Sequence, residues 1–154
     1  NRMMRKTNLA TFLAPFFLLL FAVGCTDDDG PSNNTQNEIE SDVQKGTWKI
    51  TKFIDSDKDE TNDFAGYDFT FLSSGVLRAD NGATQYDGTW SITDSNSNDD
   101  SQDDLDFNIN FNLTNDFEDL NDDWDIISRS SAKIELIDVS GGNGGTDYLT
   151  FEKN

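Results

Sequence analysis

Leu105-Asp106-Phe107-Asn108-Ile109-Asn110-Phe111 alternates without a break between apolar and polar side chains. Successive side chains of an extended chain point to opposite faces, so this stretch has one dry face and one wet face. Tyr67-Asp68-Phe69-Thr70-Phe71 repeats the pattern. Outward from these two runs, period-two alternation bounded by Gly, Asn and Asp clusters predicts eight strands, near residues 46–54, 66–72, 75–80, 85–92, 104–112, 123–129, 132–138 and 147–153. Links as short as Ser73-Ser74-Gly75 and Ser130-Ser131 are hairpin connections, which make consecutive strands antiparallel neighbours. The expected fold is therefore all-β, an up-and-down meander. Such strands remove their exposed edges by closing into an eight-stranded antiparallel barrel, with a two-sheet β-sandwich as the alternative. Asn115-Asp116-Phe117-Glu118-Asp119-Leu120 departs from alternation. Its apolar residues three apart and its Asn-x-x-Glu cap pattern predict one helical turn between the fifth and sixth strands.

The dry faces nominate the core: Trp48, Phe69, Phe71, Trp90, Phe107, Ile109, Phe111, Ile134, Leu136, Leu149 and Phe151. Packed solid, they fill a small barrel; packed loosely, the same side chains line an apolar pocket for one small ligand. Bulky aromatics favour the filled interior.

Composition narrows the function. The chain has 154 residues, with 30 Asp and Glu against 11 Lys and Arg, and no His. Without His there is no Ser-His-Asp triad, no imidazole metal ligand and no imidazole acid–base catalysis. Carboxylates are so many that chance alone brings some together, and no pair stands out, so the chain reads as a non-enzyme. The negative charge repels nucleic acid and anionic lipid headgroups. Cys25 is the single cysteine and has no partner for an internal disulfide.

Cys25 also ends a leader-like stretch. Arg2, Arg5 and Lys6 precede an apolar run of 15 residues at 9–23 and the small residue Gly24. A helix of that length rises about 22 Å, short of the roughly 30 Å of a bilayer core, so the run reads as an export signal and not as a membrane anchor. Ala22-Val23-Gly24-Cys25 resembles the lipobox of bacterial lipoproteins, which implies cleavage before Cys25 and lipidation of its thiol. The mature chain would then hold 130 residues, enough for one domain, with a net charge of −22. Thr26-Asp27-Asp28-Asp29-Gly30 is similar to the acidic stretches that send some Gram-negative lipoproteins to the cell surface, and reads equally well as the start of a solvated linker. The expected location is the cell envelope, as an outer-membrane lipoprotein on the periplasmic or the external face. Residues 26–44 are polar, with Gly30, Pro31 and an Asn/Ser run, and are expected to form a flexible tether. The expected organisation is a signal peptide at 1–24, a lipidated Cys and acidic tether at 25–45, and a barrel at 46–154.

Gly46-Thr47-Trp48-Lys49-Ile50 and Gly88-Thr89-Trp90-Ser91-Ile92 are near repeats, 42 residues apart. The chain is too short for the blades of a propeller, so each Gly-Thr-Trp belongs to a strand whose Trp packs across the core. Gly46-Thr47-Trp48 is similar to the Gly-x-Trp opening of lipocalins, and the stretch 59–71 with Asp147-Tyr148-Leu149-Thr150-Phe151 looks like bacterial lipocalin-like lipoproteins. The resemblance covers the mature domain. It implies a barrel whose opening Trp closes one end beneath an Arg of the last strand; here that strand offers Lys153, and no C-terminal helix follows.

Asp55-Ser56-Asp57-Lys58-Asp59 spaces carboxylates as a Ca²⁺-binding EF-hand loop does, but Glu60 stands where the turn needs Gly and Gly66 where it needs a bidentate Glu. A solvated hairpin loop is the better reading of Asp55, Asp57 and Asp59, and no cofactor is expected beyond that weak case for Ca²⁺. The acidic run from Asp94 to Asp104 is expected to be a mobile loop. Two functions stay open. In one, the barrel binds a small, partly apolar ligand. In the other, a filled barrel meets a protein or glycan partner through its acidic loops and shows an exposed apolar or aromatic patch. A monomer is expected in either case.

Overall fold

A computed structural model describes residues 33–95, 104–139 and 145–154. The alternating runs form strands β1 (Trp48–Asp55), β2 (Lys58–Asp59), β3 (Asp68–Phe71), β4 (Val76–Asp80), β5 (Gln85–Asp94), β6 (Leu105–Asn110), β7 (Asp122–Arg129), β8 (Lys133–Asp138) and β9 (Asp147–Lys153). They make one antiparallel sheet in the order β2-β1-β3-β4-β5-β6-β7-β8-β9, and β1 also pairs with β9. That last ladder, from Trp48↔Lys153 to Ile54↔Tyr148, closes the wall. β2 is a two-residue appendix folded back on β1. The wall therefore has the eight expected strands, and a sandwich is excluded because the first and last strands share hydrogen bonds.

Local chemistry fixes the turns. The β1–β2 hairpin bends at Ser56 and Asp57, both left-handed with φ of 46° and 74°, the conformation a two-residue hairpin demands. The β3–β4 link turns at Gly75, with φ of 84°, where the Gly75 N–H donates to the Leu72 carbonyl. The seam between β1 and β3 is narrow, with Trp48↔Phe69 as its one register pair. Above it the edge of β1 is satisfied by a different device: Thr61 Oγ1 accepts from the Phe53 N–H at 2.8 Å, and the Glu60 N–H donates to the Phe53 carbonyl at 3.0 Å. A short 3₁₀ helix, Thr61–Phe64, follows and drives Phe64 into the core.

One element departs from expectation. Residues 33–43, inside the segment read as a flexible tether, form an α-helix, α1 (Asn33–Val43). Ile39 and Val43, four apart, lie on one face and are buried against the barrel. The expected helical turn is present as a 3₁₀ helix, Asp116–Leu120, capped by Asn115, whose side chain accepts from the Phe117 N–H. Only part of the expected loop 94–104 lies among the described residues; Asp94 ends β5, and the Ser95 N–H donates to the Asp104 carbonyl, which joins the two sides of that link.

Candidate functional site

The interior is the first place to look for a site, because a lipocalin-like carrier would hold its ligand there. Trp48, Phe69, Phe71, Trp90, Phe107, Ile109, Phe111, Ile134, Leu136, Leu149 and Phe151 all point inward and are buried in one continuous cluster. Opposite walls touch. Phe71 of β3 meets Phe107 of β6 at 5.6 Å between ring centroids, Phe151 of β9 at 5.4 Å and Trp90 of β5 at 5.4 Å, all edge-to-face. A ring from β3 thus meets side chains of three other strands across the interior, and the aromatic side chains occupy the space a ligand would need.

Both ends are closed as well. At one pole α1 lies across the opening, and the indole N–H of Trp48 donates to the Val43 carbonyl at 2.8 Å. Gln36 Nε2 donates to the Ile92 carbonyl at 3.0 Å, and Arg129 reaches Glu38 at 3.0 Å. Lys153 Nζ stands 4.7 Å from the centre of the Trp48 ring, so a lysine occupies the place that the lipocalin resemblance assigns to arginine. At the other pole Phe117 is a hub, in contact with Phe64, Tyr67, Phe69, Tyr86 and Phe111. There the Trp124 indole donates to the Leu120 carbonyl at 3.1 Å. All three tryptophans are held by a backbone carbonyl, since the third, Trp90, donates to Leu72 at 3.0 Å.

The Phe117 pole is strongly acidic. Asp119 has its carboxyl pushed up by burial and then by the charges of Glu60, Asp55, Asp116 and Glu118. Asp122 is raised to about 6, chiefly by burial, with further contributions from a hydrogen bond to Asp123 and the charge of Asp138. Asp55, Asp57 and Asp59 do not converge on one point: they flank the β1–β2 hairpin, where Asp59 accepts from the Thr61 N–H and Lys58 bonds Glu60. Among the described residues no group of three metal-ligating side chains is gathered anywhere.

What remains is the outer wall. On β5 and β6 it is polar, and Thr89, Ser91, Asn108, Asn110 and Asp123 line an open depression of about 540 Å³. On β8, β9 and β1 the wall changes character. Ile137, Tyr148 and Ile54 are consecutive cross-strand neighbours, half-buried on the outside. Val139 continues the line with 63% of its surface exposed, and Ile127, at a bulge in β7, flanks it with 52% exposed. Lys52 lies 4.5 Å from the Tyr148 ring centre. The five apolar residues of this face were not among the expected site residues, yet for four of them the sequence carried a signal: Phe53-Ile54, Ile126-Ile127, Leu136-Ile137 and Tyr148-Leu149 are apolar doublets, and alternation forces one member of each outward.

The fold thus defines the class, a closed eight-stranded antiparallel β-barrel with one α-helix among the described residues, consistent with a lipocalin-like fold. No family model and no curated protein matches the chain. Among solved structures, a DUF4847 family protein from Bacteroides vulgatus ATCC 8482 is similar, with a TM-score of 0.47 and 18% identity, the match covering 75% of this chain and 97% of that one.

Proposed function

We propose that this is a lipid-anchored, non-enzymatic protein of the bacterial outer membrane that works by contact through its outer surface and not by carrying a ligand inside. One observation carries the choice between the two functions: Phe71, Phe107 and Phe151 join opposite walls of the barrel. An apolar ligand could enter only by displacing aromatic rings, each of which contributes roughly 2–3 kcal/mol by its burial. The half-buried apolar row on the outer wall, with Ile127 and Val139 exposed beside it, and the acidic loops are what a surface-acting barrel offers a partner.

Anchoring rests on Ala22-Val23-Gly24-Cys25 and its leader, with Cys25 as the lipidated residue. Seven residues, 26–32, separate Cys25 from α1, a reach of at most about 24 Å. The pole covered by α1 is then held toward the bilayer, and the acidic pole is directed away from it. Native mass spectrometry of the full-length product, extracted from its host envelope in mild detergent, tests the whole reading. The expected spectrum is the chain beginning at Cys25 with its acyl groups and no other adduct. A stoichiometric apolar small molecule would restore the carrier, and an unprocessed, unacylated chain would remove the anchor.

A further inference from the structure

We propose that Asn81, in the β4–β5 hairpin, is a site of spontaneous modification, where the Gly82 main-chain nitrogen closes on the Asn81 side chain and the amide is converted to an acid. The hairpin turns through Asn81-Gly82-Ala83-Thr84, all exposed, between Asp80 and its register partner Gln85. Gly82 has a φ of 83°, which glycine adopts without steric cost. A Cβ there would meet nothing within 4 Å, so the residue that supplies the attacking nitrogen stands in open space.

Three hydrogen bonds around this pair match what ring closure requires. The Gly82 N–H donates to Asp80 Oδ1 at 2.7 Å, which sets a carboxylate on the proton that the nucleophile must lose. Asn81 Oδ1 accepts from the Thr84 N–H at 2.7 Å and from the Ala83 N–H at 3.0 Å. Those two donors fold the side chain forward over the following peptide. They also face the oxygen on which negative charge develops when Cγ is attacked. The Gly82 nitrogen bonds to Asn81 Cγ, its proton passes by way of Asp80 to Nδ2, and the Cγ–Nδ2 bond breaks to release ammonia and leave a cyclic imide. Water then opens the ring at either carbonyl, giving aspartate or, with the main chain routed through Cγ, isoaspartate. Either product adds a negative charge beside Asp80. Isoaspartate also lengthens the main chain by a methylene and so strains the closure in which the Asn81 N–H donates to the Thr84 carbonyl at 3.1 Å.

Asn143-Gly144 repeats the dipeptide and serves as a control within the same chain. The full chain is incubated at neutral pH, and peptide mapping by mass spectrometry follows the conversion of each asparagine to aspartate and isoaspartate. Asn81 should convert several times faster than Asn143 in the folded protein, and guanidinium chloride should bring the two rates together. Asp80→Asn keeps an accepting oxygen beside the Gly82 N–H but removes the charge. It should slow Asn81 by about tenfold or more and leave Asn143 unchanged. A rate at Asn81 no higher than at Asn143 in the folded chain would mean that the turn shields the amide, and would overturn the proposal. So would an Asp80→Asn variant, folded by circular dichroism, in which Asn81 converts as fast as before.

Discussion

A methyl group on Gly88 would sit 2.5 Å from the Asn110 carbonyl oxygen and 2.7 Å from Cδ1 of Phe111. Backbone and a buried ring stand on that side, so neither can yield cheaply, and Gly88→Ala should cost about 1–3 kcal/mol in urea unfolding. Gly46 opens the matching pentapeptide for another reason: its φ is 80°, and a Cβ there would meet only the flexible Lys153 stem. Asp122 sets a pH dependence. Its folded pKa of about 6 lies above the model-peptide value of 3.8, so the charged form is the one the fold penalises. The contribution of Asp122 to stability is therefore fully present below the ordinary value of 3.8 and is lost as pH rises through about 6. Asp122→Asn should raise the melting temperature by about 2–5 °C at pH 7.5 and leave it unchanged near pH 4, as followed by circular dichroism. An equal gain at both pH values would mean that charge is not the cause.

α1 is the element that most repays a test. Trp48→Phe keeps the ring in the core but removes the donor to the Val43 carbonyl, so protection of amides 33–43 should fall while the β5–β6 amides stay protected. If both change together, helix and barrel form one cooperative unit. This is also where the sequence was least legible. Eight strands could be read because Leu105–Asn110 and its counterparts alternate, and the Asp116–Leu120 turn could be read from the Asn115 cap. α1 could not: Asn33–Val43 offers two apolar side chains, too few to define a periodic face, and its helicity comes from docking on a barrel end that exists only once the chain has folded. The Thr61–Phe64 turn escaped for the same reason, with Phe64 as its one apolar residue. Among site residues, the place of Lys153 over Trp48 followed from the lipocalin resemblance, and the Ile126-Ile127 doublet marked one outward side chain without showing that a bulge in β7 is what exposes it.

The whole molecule carries 30 acidic against 11 basic residues, and its ion pairs lie mainly on the outer wall and around α1, as Arg78–Asp87 and Arg129–Glu38 do. Repulsion among the remaining carboxylates opposes the compact state. Sodium chloride should therefore raise the melting temperature, most of the gain coming between about 0.01 and 0.15 M, where the screening length falls from about 30 to 8 Å. A fall would assign the greater weight to the ion pairs. The order of the chain adds a last consequence. α1 precedes β1 and is clasped to the barrel end by Ile39, Val43 and hydrogen bonds from Gln36 and Trp48. A tug on the chain upstream of Asn33 reaches those clasps before any strand ladder. Those clasps are few beside the ladders of the wall, so a pull from that side should free the helix first and leave the barrel shut, the part of a mechanical fuse.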